Sequence, residues 1–517
     1  MKKITKISPF VLAILSILMI AGYGCKDDFF NETSGDRITP DQHYQSLNDA
    51  KVSLQGAIVP LQDAYPRLVL IDGLRSDMMD VTTNANSYLR DLNYQNINAG
   101  NPLVDPADFY KVIINVNEVL ANIDVIEKRD RNYDALISKA YKGALIGLRS
   151  WTYLTLARMY NKVVYIEDNM VTIPLAQKEL SKAVIIDTLI NQVLPYIHDN
   201  STGPQYEEIR VEHYVNNKAL LGELYLEAGN YAEAARYLKL ACESYLNQPA
   251  MLKVDKTYKD AGWSTIFLNA ESNTTENIAV IPYSRSESQY NPVVTWVSHE
   301  HEFAVKPSTI LVDSFMAQVP ALGNPGDLYR GLGVTFKVDT LARINDSTFV
   351  TEPYITKYAM DPTDPFSSDI IISRAADIHL LLAEAYNQMG DETSRKYALM
   401  LLNQGVNKEN PKPAPFAKWS GNLGIRGRAY LKSRELPKTM ADADSIKNYI
   451  EDQIMAERAL ELAFEGKRWF DLVRVAERRN DPAYLADKVA AKFEGTEMYN
   501  TIHAKLMNPA NWYLPMK

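Results

Sequence analysis

Apolar positions in the first half of the chain recur at the spacing of α-helices. From Asp105 to Ile123 they fall three or four residues apart, which places them on one helical face. The same pattern predicts a helix from Ala135 to Tyr160, a segment without proline. A third run, from Tyr214 to Tyr245, is broken only at Gly229 and Asn230. That pair favours the end of one helix and a short turn into another.

A short pattern of leucine, a small residue and tyrosine recurs in Leu156–Tyr160, Leu221–Tyr225 and Leu382–Tyr386. After the second copy, residues follow at the spacing of a tetratricopeptide helix pair, in which small residues let helices cross closely. These residues are Gly229, Tyr231, Ala234, Leu238 and Ala241. The third copy departs at Arg395, where a small residue is expected. We predict a mainly α fold with a tetratricopeptide-like helical scaffold that carries long insertions; chance recurrence is the alternative.

The pattern changes between Asp260 and Ser373, where helical spacing disappears and Pro, Gly, Ser and Asn accumulate. Short alternating runs at Ile278–Tyr283, Val334–Val338 and Thr348–Ile355 predict a few short β-strands. We therefore expect a helical scaffold over about residues 40–260 and 373–480, with a loop-rich insertion, or lobe, over about 260–372. Both belong to one predicted domain, residues 25–517.

The first 28 residues have the pattern of an export signal. Three lysines precede an apolar run from Ile7 to Gly22, which is short for a membrane span of roughly 20 residues. Small residues stand before Cys25, so we expect residues 1–24 to be a lipoprotein signal peptide and Cys25 to be the lipid-attachment site. Several acyl chains on one cysteine anchor a protein stably. Tyr23 is unusual at such a cleavage site, and an ordinary signal with an incidental cysteine is the alternative.

Composition narrows the possible functions. The net charge is -9 and the isoelectric point is about 5.5, so the average surface does not attract nucleic acid. If Cys25 carries lipid, Cys242 is the one remaining cysteine, and no disulfide framework is expected. The 31 tyrosines and six tryptophans supply rings that are apolar on one side and polar at an edge. Sugar-binding surfaces use such rings, as does a large core.

The segment from Ile450 to Arg474 has the most constrained pattern. Five charged residues fall within one arc of a helical wheel, with apolar residues around the remainder: Glu457, Arg458, Glu461, Glu465 and Arg468. Because glutamates four residues apart repel one another, we expect Arg458 and Arg468 to compensate Glu461 and Glu465 in an ordered network. A catalytic carboxylate pair is the alternative, although neighbouring arginines would keep both carboxylates ionised.

The stretch from Glu457 to Arg474, which reads ERALELAFEGKRWFDLVR, resembles the signature helix of the SusD/RagB family. The residues that carry the resemblance are Glu457, Arg458, Glu461, Glu465, Gly466, Arg468, Trp469, Asp471 and Arg474. Further similar pieces follow in order at Asp28–Phe30, Phe109–Leu120, Ala376–Ala385 and Asn511–Met516. The similarity thus extends over essentially the whole mature chain. It departs locally at Tyr23 and at an arginine-containing turn displaced to Gly424–Arg428.

This resemblance implies an outer-membrane lipoprotein that faces the cell exterior, and Lys26-Asp27-Asp28 is similar to the acidic tag of such proteins. It also implies a binding protein and not an enzyme, with no cofactor. Such a protein captures an oligosaccharide or another nutrient and delivers it to a SusC-like TonB-dependent transporter. The alternatives are a peptide-binding relative, an extracellular glycan hydrolase on a helical scaffold, and a purely structural interaction protein.

Motifs for nucleotide binding, serine hydrolysis and zinc proteolysis are absent from the sequence. The run from His299 to Glu302 could place two imidazoles on one strand face as metal ligands. Asp361, Asp364 and Asp369 lie in a proline-containing loop that could hold calcium through oxygen ligands. Chance spacing and a solvated turn are the commoner explanations, so we predict no metal site.

Two loop segments combine aromatic rings, which stack on sugars, with polar groups that recognise hydroxyls. The candidate ligand-binding residues of the first are Asp77, Asn84, Tyr88, Arg90, Asn93 and Tyr94. Those of the second are Tyr283, Arg285, Tyr290, Asn291 and Trp296. Trp296 and Tyr88 are the strongest candidates. For each residue a structural role or simple exposure is the alternative.

Overall fold

The structure, a computed structural model, describes residues 40–166, 178–197, 215–243, 254–268, 270–271, 275–342 and 349–516. The predicted signal peptide and Cys25 lie outside these ranges. The first ten described helices are α1 (Pro40–His43), α2 (Leu47–Ile58), α3 (Leu61–Arg75), α4 (Ser87–Asn93), α5 (Ala107–Asn122), α6 (Asp124–Arg129), α7 (Ala135–Tyr160), α8 (Lys182–Val193), α9 (Asn217–Glu227) and α10 (Tyr231–Glu243). They are followed by α11 (Ser264–Leu268), α12 (Pro292–Val297), α13 (Thr309–Met316), α14 (Ala375–Met389), α15 (Glu392–Leu402), α16 (Ile425–Arg428), α17 (Ala443–Glu461), α18 (Arg468–Arg479), α19 (Pro482–Ala490) and α20 (Met498–Leu506).

The described strands are short and pair as two-stranded antiparallel sheets. The pairs are β1 (Met79–Val81) with β5 (Val305–Pro307), β2 (Lys162–Tyr165) with β3 (Lys178–Ser181), β4 (Asn277–Ile281) with β8 (Ile370–Arg374), and β6 (Phe336–Ala342) with β7 (Phe349–Ile355). The prediction of a mainly α fold with a few short strands is confirmed. The β1–β5 pair joins two segments that are far apart in sequence.

Helices that follow one another along the chain pack in pairs, and neighbouring pairs contact one another. The pairs are α7 with α8, α9 with α10, and α14 with α15; α8 also contacts α9, α10 contacts α14, and α14 contacts α17. A Cβ at Gly222 would lie 2.4 Å from Cγ of Leu238, so the crossing of α9 and α10 requires glycine. This close approach is the role that the tetratricopeptide pattern assigns to a small residue.

Capping residues account for where the predicted helices begin and end. The carboxylate of Asp134 accepts hydrogen bonds from the backbone N–H groups of Leu136 and Ile137, both at 2.9 Å, and starts α7. Asn161, in a left-handed conformation, ends it. The observed bounds of α7 coincide with the prediction.

The segment from Ile450 to Arg474 is not one helix, so that prediction is wrong. Helix α17 ends at Glu461 and α18 begins at Arg468. Between them the backbone turns through left-handed conformations at Phe464 and Gly466, with φ of 66° and 73°. At the start of α18 the carboxylate of Asp72 accepts a 2.6 Å hydrogen bond from the backbone N–H of Trp469. The turn thus redirects the chain so that α18 packs against α3.

The three glutamates of this segment belong to a buried set of ion pairs, which we call the charge network. It consists of Glu457, Glu461 and Glu465 with Arg330, Lys357, Arg374 and Arg426. Glu461, for example, lies 2.5 Å from Arg330 and 2.8 Å from Arg374. Arg330 and Lys357 come from the loop-rich segment, so the network fastens that segment to α17 and to the turn that follows it.

The expectation that Arg458 and Arg468 compensate the glutamates is wrong, although the ordered network itself is present. Arg458 pairs with Asp377 at 2.8 Å and with Asp471 at 2.7 Å. Arg468 pairs with Asp77 at 2.7 Å. The turn before α18 moves Arg468 away from the wheel position that a continuous helix would give it. Each arginine therefore meets an aspartate that the wheel does not consider.

Candidate functional site

Pairing of β1 with β5 brings the two predicted ligand-binding segments side by side. Beyond the paired strands the contact continues, because the backbone N–H of Thr82 donates to the carbonyl of Ala304 at 3.0 Å. The carboxamide of Asn84 donates to the carbonyl of Glu302 at 2.9 Å. The loop before α4 is thereby held against the turn that follows α12.

Five aromatic rings next to this junction, in two contacting groups, make up what we call the aromatic face. They are Tyr290, His299, His301, Tyr354 and Phe366. Phe366 contacts Tyr290 edge-on, with ring centroids 6.2 Å apart, and contacts His301 at 4.9 Å. His299 lies 4.3 Å from Tyr354. Tyr290, which is 51% exposed, and His301 are open to solvent, and the other three rings are half-buried.

Hydrogen bonds of Asn291 fix the loops that carry these rings. Its backbone N–H donates to the carbonyl of Phe366 at 2.9 Å, and its carboxamide donates to the carbonyl of Ser368 at 2.8 Å. The carboxamide oxygen accepts from the backbone N–H of Val293 at 3.0 Å and caps α12. Tyr290 and Phe366 are therefore held in place before any ligand arrives, which lowers the entropic cost of binding.

The remaining candidates are exposed or half-buried. Tyr88 is 44% exposed on α4, and Trp296 is half-buried on α12 and packs partly against the core. The guanidinium of Arg90 donates to the carbonyls of Ala85 and Thr83, each at 3.0 Å. Arg285 is exposed, whereas Tyr94 is half-buried and packs on Phe493, with ring centroids 5.7 Å apart.

Four predicted ligand-binding residues are buried in the structure, and we remove them from the candidate set: Asp77, Asn93, Tyr283 and Asn291. The carboxylate of Asp77 is paired with Arg468. The carboxamide of Asn93 donates to Asp80 at 2.9 Å and accepts from the ammonium of Lys492 at 3.0 Å. Both polar groups thus have partners inside the protein.

The other two buried candidates also have internal partners. The hydroxyl of Tyr283 donates to the carbonyl of Gln62 at 2.7 Å, and the carboxamide of Asn291 caps α12. All four residues therefore position the loops and do not face a ligand.

Sequence analysis assigns two rings of the face a different role and does not identify two others. His299 and His301 are expected as paired metal ligands on a strand, but they lie in a turn and contact different rings. Tyr354 and Phe366 are absent from the sequence-based candidates. Phe366 follows Pro365 in an aspartate-rich loop, and an aromatic residue in such a loop is a signal of exposure that could have identified it.

The three aspartates considered for calcium lie in separate local arrangements. Asp361 accepts from the backbone N–H of Thr363 at 2.8 Å, and Asp364 accepts from the hydroxyl of Ser367 at 2.7 Å. Asp369 accepts from the backbone N–H of Tyr283 at 3.2 Å, and burial raises its pKa to about 7. Among the described residues, no group of three or more His, Cys, Asp or Glu side chains is arranged to hold a metal ion.

The carboxylates of the charge network are unsuited to general acid catalysis. Burial by itself would raise the pKa of Glu461, but the guanidinium groups of Arg374 and Arg330 lower it to about 2. Arginines also hold the pKa of Glu457 below its usual range against burial. Both side chains are about 1% exposed or less, so a substrate does not reach them. The alternative of a catalytic pair in this segment is therefore not supported.

Two clefts lie away from the aromatic face. One, of ≈ 590 Å³, is bounded by α15 and the loop after it, including Tyr397, Met400 and Lys408. The other, of ≈ 340 Å³, lies beside Lys256, Glu276 and Arg428. In the second cleft, the carboxylate of Glu276 and the guanidinium of Arg428 form an ion pair at 2.9 Å.

No helix within the described ranges has both the length and the apolar character needed to cross a membrane.

Comparisons with known proteins agree with this architecture. Residues 308–517 match the model of the SusD family. SusD-like protein P2 of Formosa agariphila is 21% identical over 498 residues, which cover 89% of each chain. A SusD superfamily protein from Bacteroides thetaiotaomicron superposes with a TM-score of 0.62 at 16% identity, over 92% of this chain and 96% of that one. A laminarin-binding SusD-like protein superposes with a TM-score of 0.59 at 16% identity, over 88% of this chain and 96% of that one.

Proposed function

Because this chain belongs to the SusD/RagB family, we propose that it is a cell-surface lipoprotein that binds an oligosaccharide and delivers it to a SusC-like TonB-dependent transporter. Cys25 would carry the lipid anchor in the outer membrane, with the folded domain facing the exterior. The protein would bind without catalysis. The laminarin-binding relative supports a glycan as the ligand, because it shares the fold over nearly its whole length.

The aromatic face is the observation that supports this function best. The exposed rings of Tyr290 and His301 have polar groups at their edges, the half-buried ring of Phe366 is wholly apolar, and such flat rings suit the apolar faces of a sugar. Polar groups of Asn84 and Arg285 lie in the neighbouring loops. A mostly apolar surface with a few fixed polar groups is typical of ligand sites.

Calorimetry of the mature chain in detergent, against neutral and acidic oligosaccharides, tests the proposal. We expect binding to one glycan class without release of shorter products. Tyr290→Ala should weaken that binding about fivefold, since stacking on an exposed ring contributes on the order of 1 kcal/mol. Tyr430→Ala is the matched control, because Tyr430 is 40% exposed but contributes nothing to the aromatic face.

Three results would count against the proposal. A folded protein that binds no glycan in the panel would remove the proposed ligand class. Release of shorter oligosaccharides that persists in the purified protein would favour the hydrolase alternative. An equal loss of binding in Tyr290→Ala and Tyr430→Ala would place the site away from the aromatic face.

A further inference from the structure

We propose that the aromatic face selects neutral glycans and rejects glycans that carry carboxylate or sulfate groups. This inference rests on the proposed function and specifies its ligand class. It comes from the balance of charged side chains in the loops and strands that hold the five rings. Among the described residues, the carboxylates next to the face outnumber the cations, and most of those cations already have partners.

The cations next to the face are largely occupied. Lys306 lies 3.0 Å from the carboxylate of Glu352, and Arg285 lies 3.9 Å from that of Asp364. The guanidinium of Arg90 donates to two backbone carbonyls. Of the other cations that the structure describes in these segments, Lys337 is exposed and stands opposite Tyr354 in the pairing of β6 with β7, and Lys357 is buried against Glu465. A ligand carboxylate would have to compete for the first three.

Four carboxylates in the same segments have no cationic partner among the described residues: Glu287, Glu300, Glu302 and Asp361. Glu300 and Glu302 alternate with His299 and His301 along one turn, so their charges lie beside the rings. Besides burial and Asp339, the charge of Glu300 helps to raise the pKa of the Tyr354 hydroxyl. The carboxylate of Glu300 therefore acts on at least one ring of the face.

This charge balance acts against anionic sugars in two ways. Proteins recognise carboxylate and sulfate groups with arginine and lysine side chains that are free to donate hydrogen bonds. The unpaired carboxylates repel a like charge brought next to the rings, and the repulsion is strongest at low ionic strength. A neutral sugar meets neither cost, and its hydroxyls can donate hydrogen bonds to the same carboxylates.

The test compares each neutral ligand with its own charged derivative. The mature chain is titrated with laminari-, cello-, malto- and manno-oligosaccharides, and with oligosaccharides of alginate, polygalacturonate and sulfated galactan. Any neutral ligand that binds is then oxidised at its primary hydroxyls to the uronate and titrated again. We expect binding in the neutral set alone, and a loss of at least about tenfold on oxidation at low salt. The loss should shrink at 1 M salt, where the Debye length is about 3 Å.

A double variant connects this discrimination to the face. Glu300→Gln with Glu302→Gln should reduce the affinity ratio between the neutral ligand and its oxidised form. Glu127→Gln with Glu392→Gln is the control, because it removes the same charge from exposed positions on α6 and α15, and neither helix supplies a ring of the aromatic face. In the control the ratio should stay as in the wild type.

The outcomes separate this inference from the proposed function. Binding of an anionic glycan as tightly as any neutral one overturns the inference and leaves glycan binding intact. An oxidised ligand that binds as tightly as its neutral form has the same consequence. If neither the neutral nor the anionic oligosaccharides bind, both the proposed function and this inference are overturned. If the affinity ratio between the neutral ligand and its oxidised form changes equally in both double variants, the discrimination does not come from Glu300 and Glu302.

Discussion

The charge network and the aromatic face use similar residue types under opposite conditions of solvent exposure. In the network, Glu461 is enclosed and lies within 2.8 Å of two arginines. On the face, Glu300 is exposed and has no cationic partner among the described residues. Burial makes a partner obligatory, because an isolated buried charge is costly. Exposure removes that requirement, so the charges of the face remain available to act on a ligand.

The largest expected difference between the two regions concerns one substitution made in each. Glu461→Ala leaves Arg330 and Arg374 short of a partner in the interior, and breaking a buried pair in this way costs about 3–5 kcal/mol. Glu300→Ala should change the free energy of unfolding by no more than about 0.5 kcal/mol. Urea unfolding of the mature chain measures both changes.

If Glu461→Ala does not yield folded protein, Glu461→Gln keeps the shape and part of the hydrogen bonding and should fold with reduced stability. Equal stability of Glu461→Gln and the wild type would show that the network contributes little. A loss of several kcal/mol in Glu300→Ala would show that the carboxylate of Glu300 has a structural role.

Removing a tyrosine hydroxyl should also affect stability differently in the two regions, by a smaller amount. The hydroxyl of Tyr358 is buried and donates to the carbonyl of Phe464 at 2.6 Å, in the turn before α18. Tyr358→Phe leaves that carbonyl unpaired and should lower the free energy of unfolding by about 1–3 kcal/mol. Tyr290→Phe should leave it nearly unchanged, because water solvates the hydroxyl of Tyr290. Urea midpoints at one pH compare the two, and equal midpoints would contradict the expectation.

The parts of the fold that local spacing determines were predictable from the sequence. Helix α7 and the break between α9 and α10 follow from the sequence because apolar spacing and the capping residues agree there. The turn between α17 and α18 does not, since Phe464 is a non-glycine residue in a left-handed conformation. Helical-wheel reasoning assumes regular backbone and does not detect such a turn.

The side chains that pair in both regions could not be predicted from the sequence, because the partners are remote from one another along the chain. Glu461 meets Arg330 and Arg374, which precede it by 131 and 87 residues. Tyr290 is a candidate by virtue of its loop, but its ring partner Phe366 comes from a segment fixed by other hydrogen bonds. Composition indicates which loops are rich in aromatic residues, whereas strand pairing and side-chain bonds decide which of them meet.

The smallest expected difference lies in how two buried carboxyl groups make stability depend on pH. Buried Glu461 has cationic partners and a pKa of about 2, whereas burial without a cation raises the pKa of Asp369, beside Tyr283, to about 7. The folded state therefore takes up a proton at Asp369 more readily than the unfolded state, so the contribution of that group to stability is complete below about pH 4 and is lost as the pH rises through about 7. The contribution of Glu461 runs the other way, since it is present above about pH 4.5 and is lost as the pH falls toward about 2.

Asp369→Asn isolates the first of these effects, because an asparagine oxygen can still accept from the backbone N–H of Tyr283. We expect the variant to unfold at a higher urea concentration than the wild type at about pH 8, and the difference to shrink at about pH 5, where the wild-type carboxyl is mostly protonated in the folded state. A difference that is the same at both pH values would mean that Asp369 is ionised throughout, and that a cation reaches it as cations reach Glu461. Asp369 and Glu461 would then not differ in whether a cation partners the carboxylate.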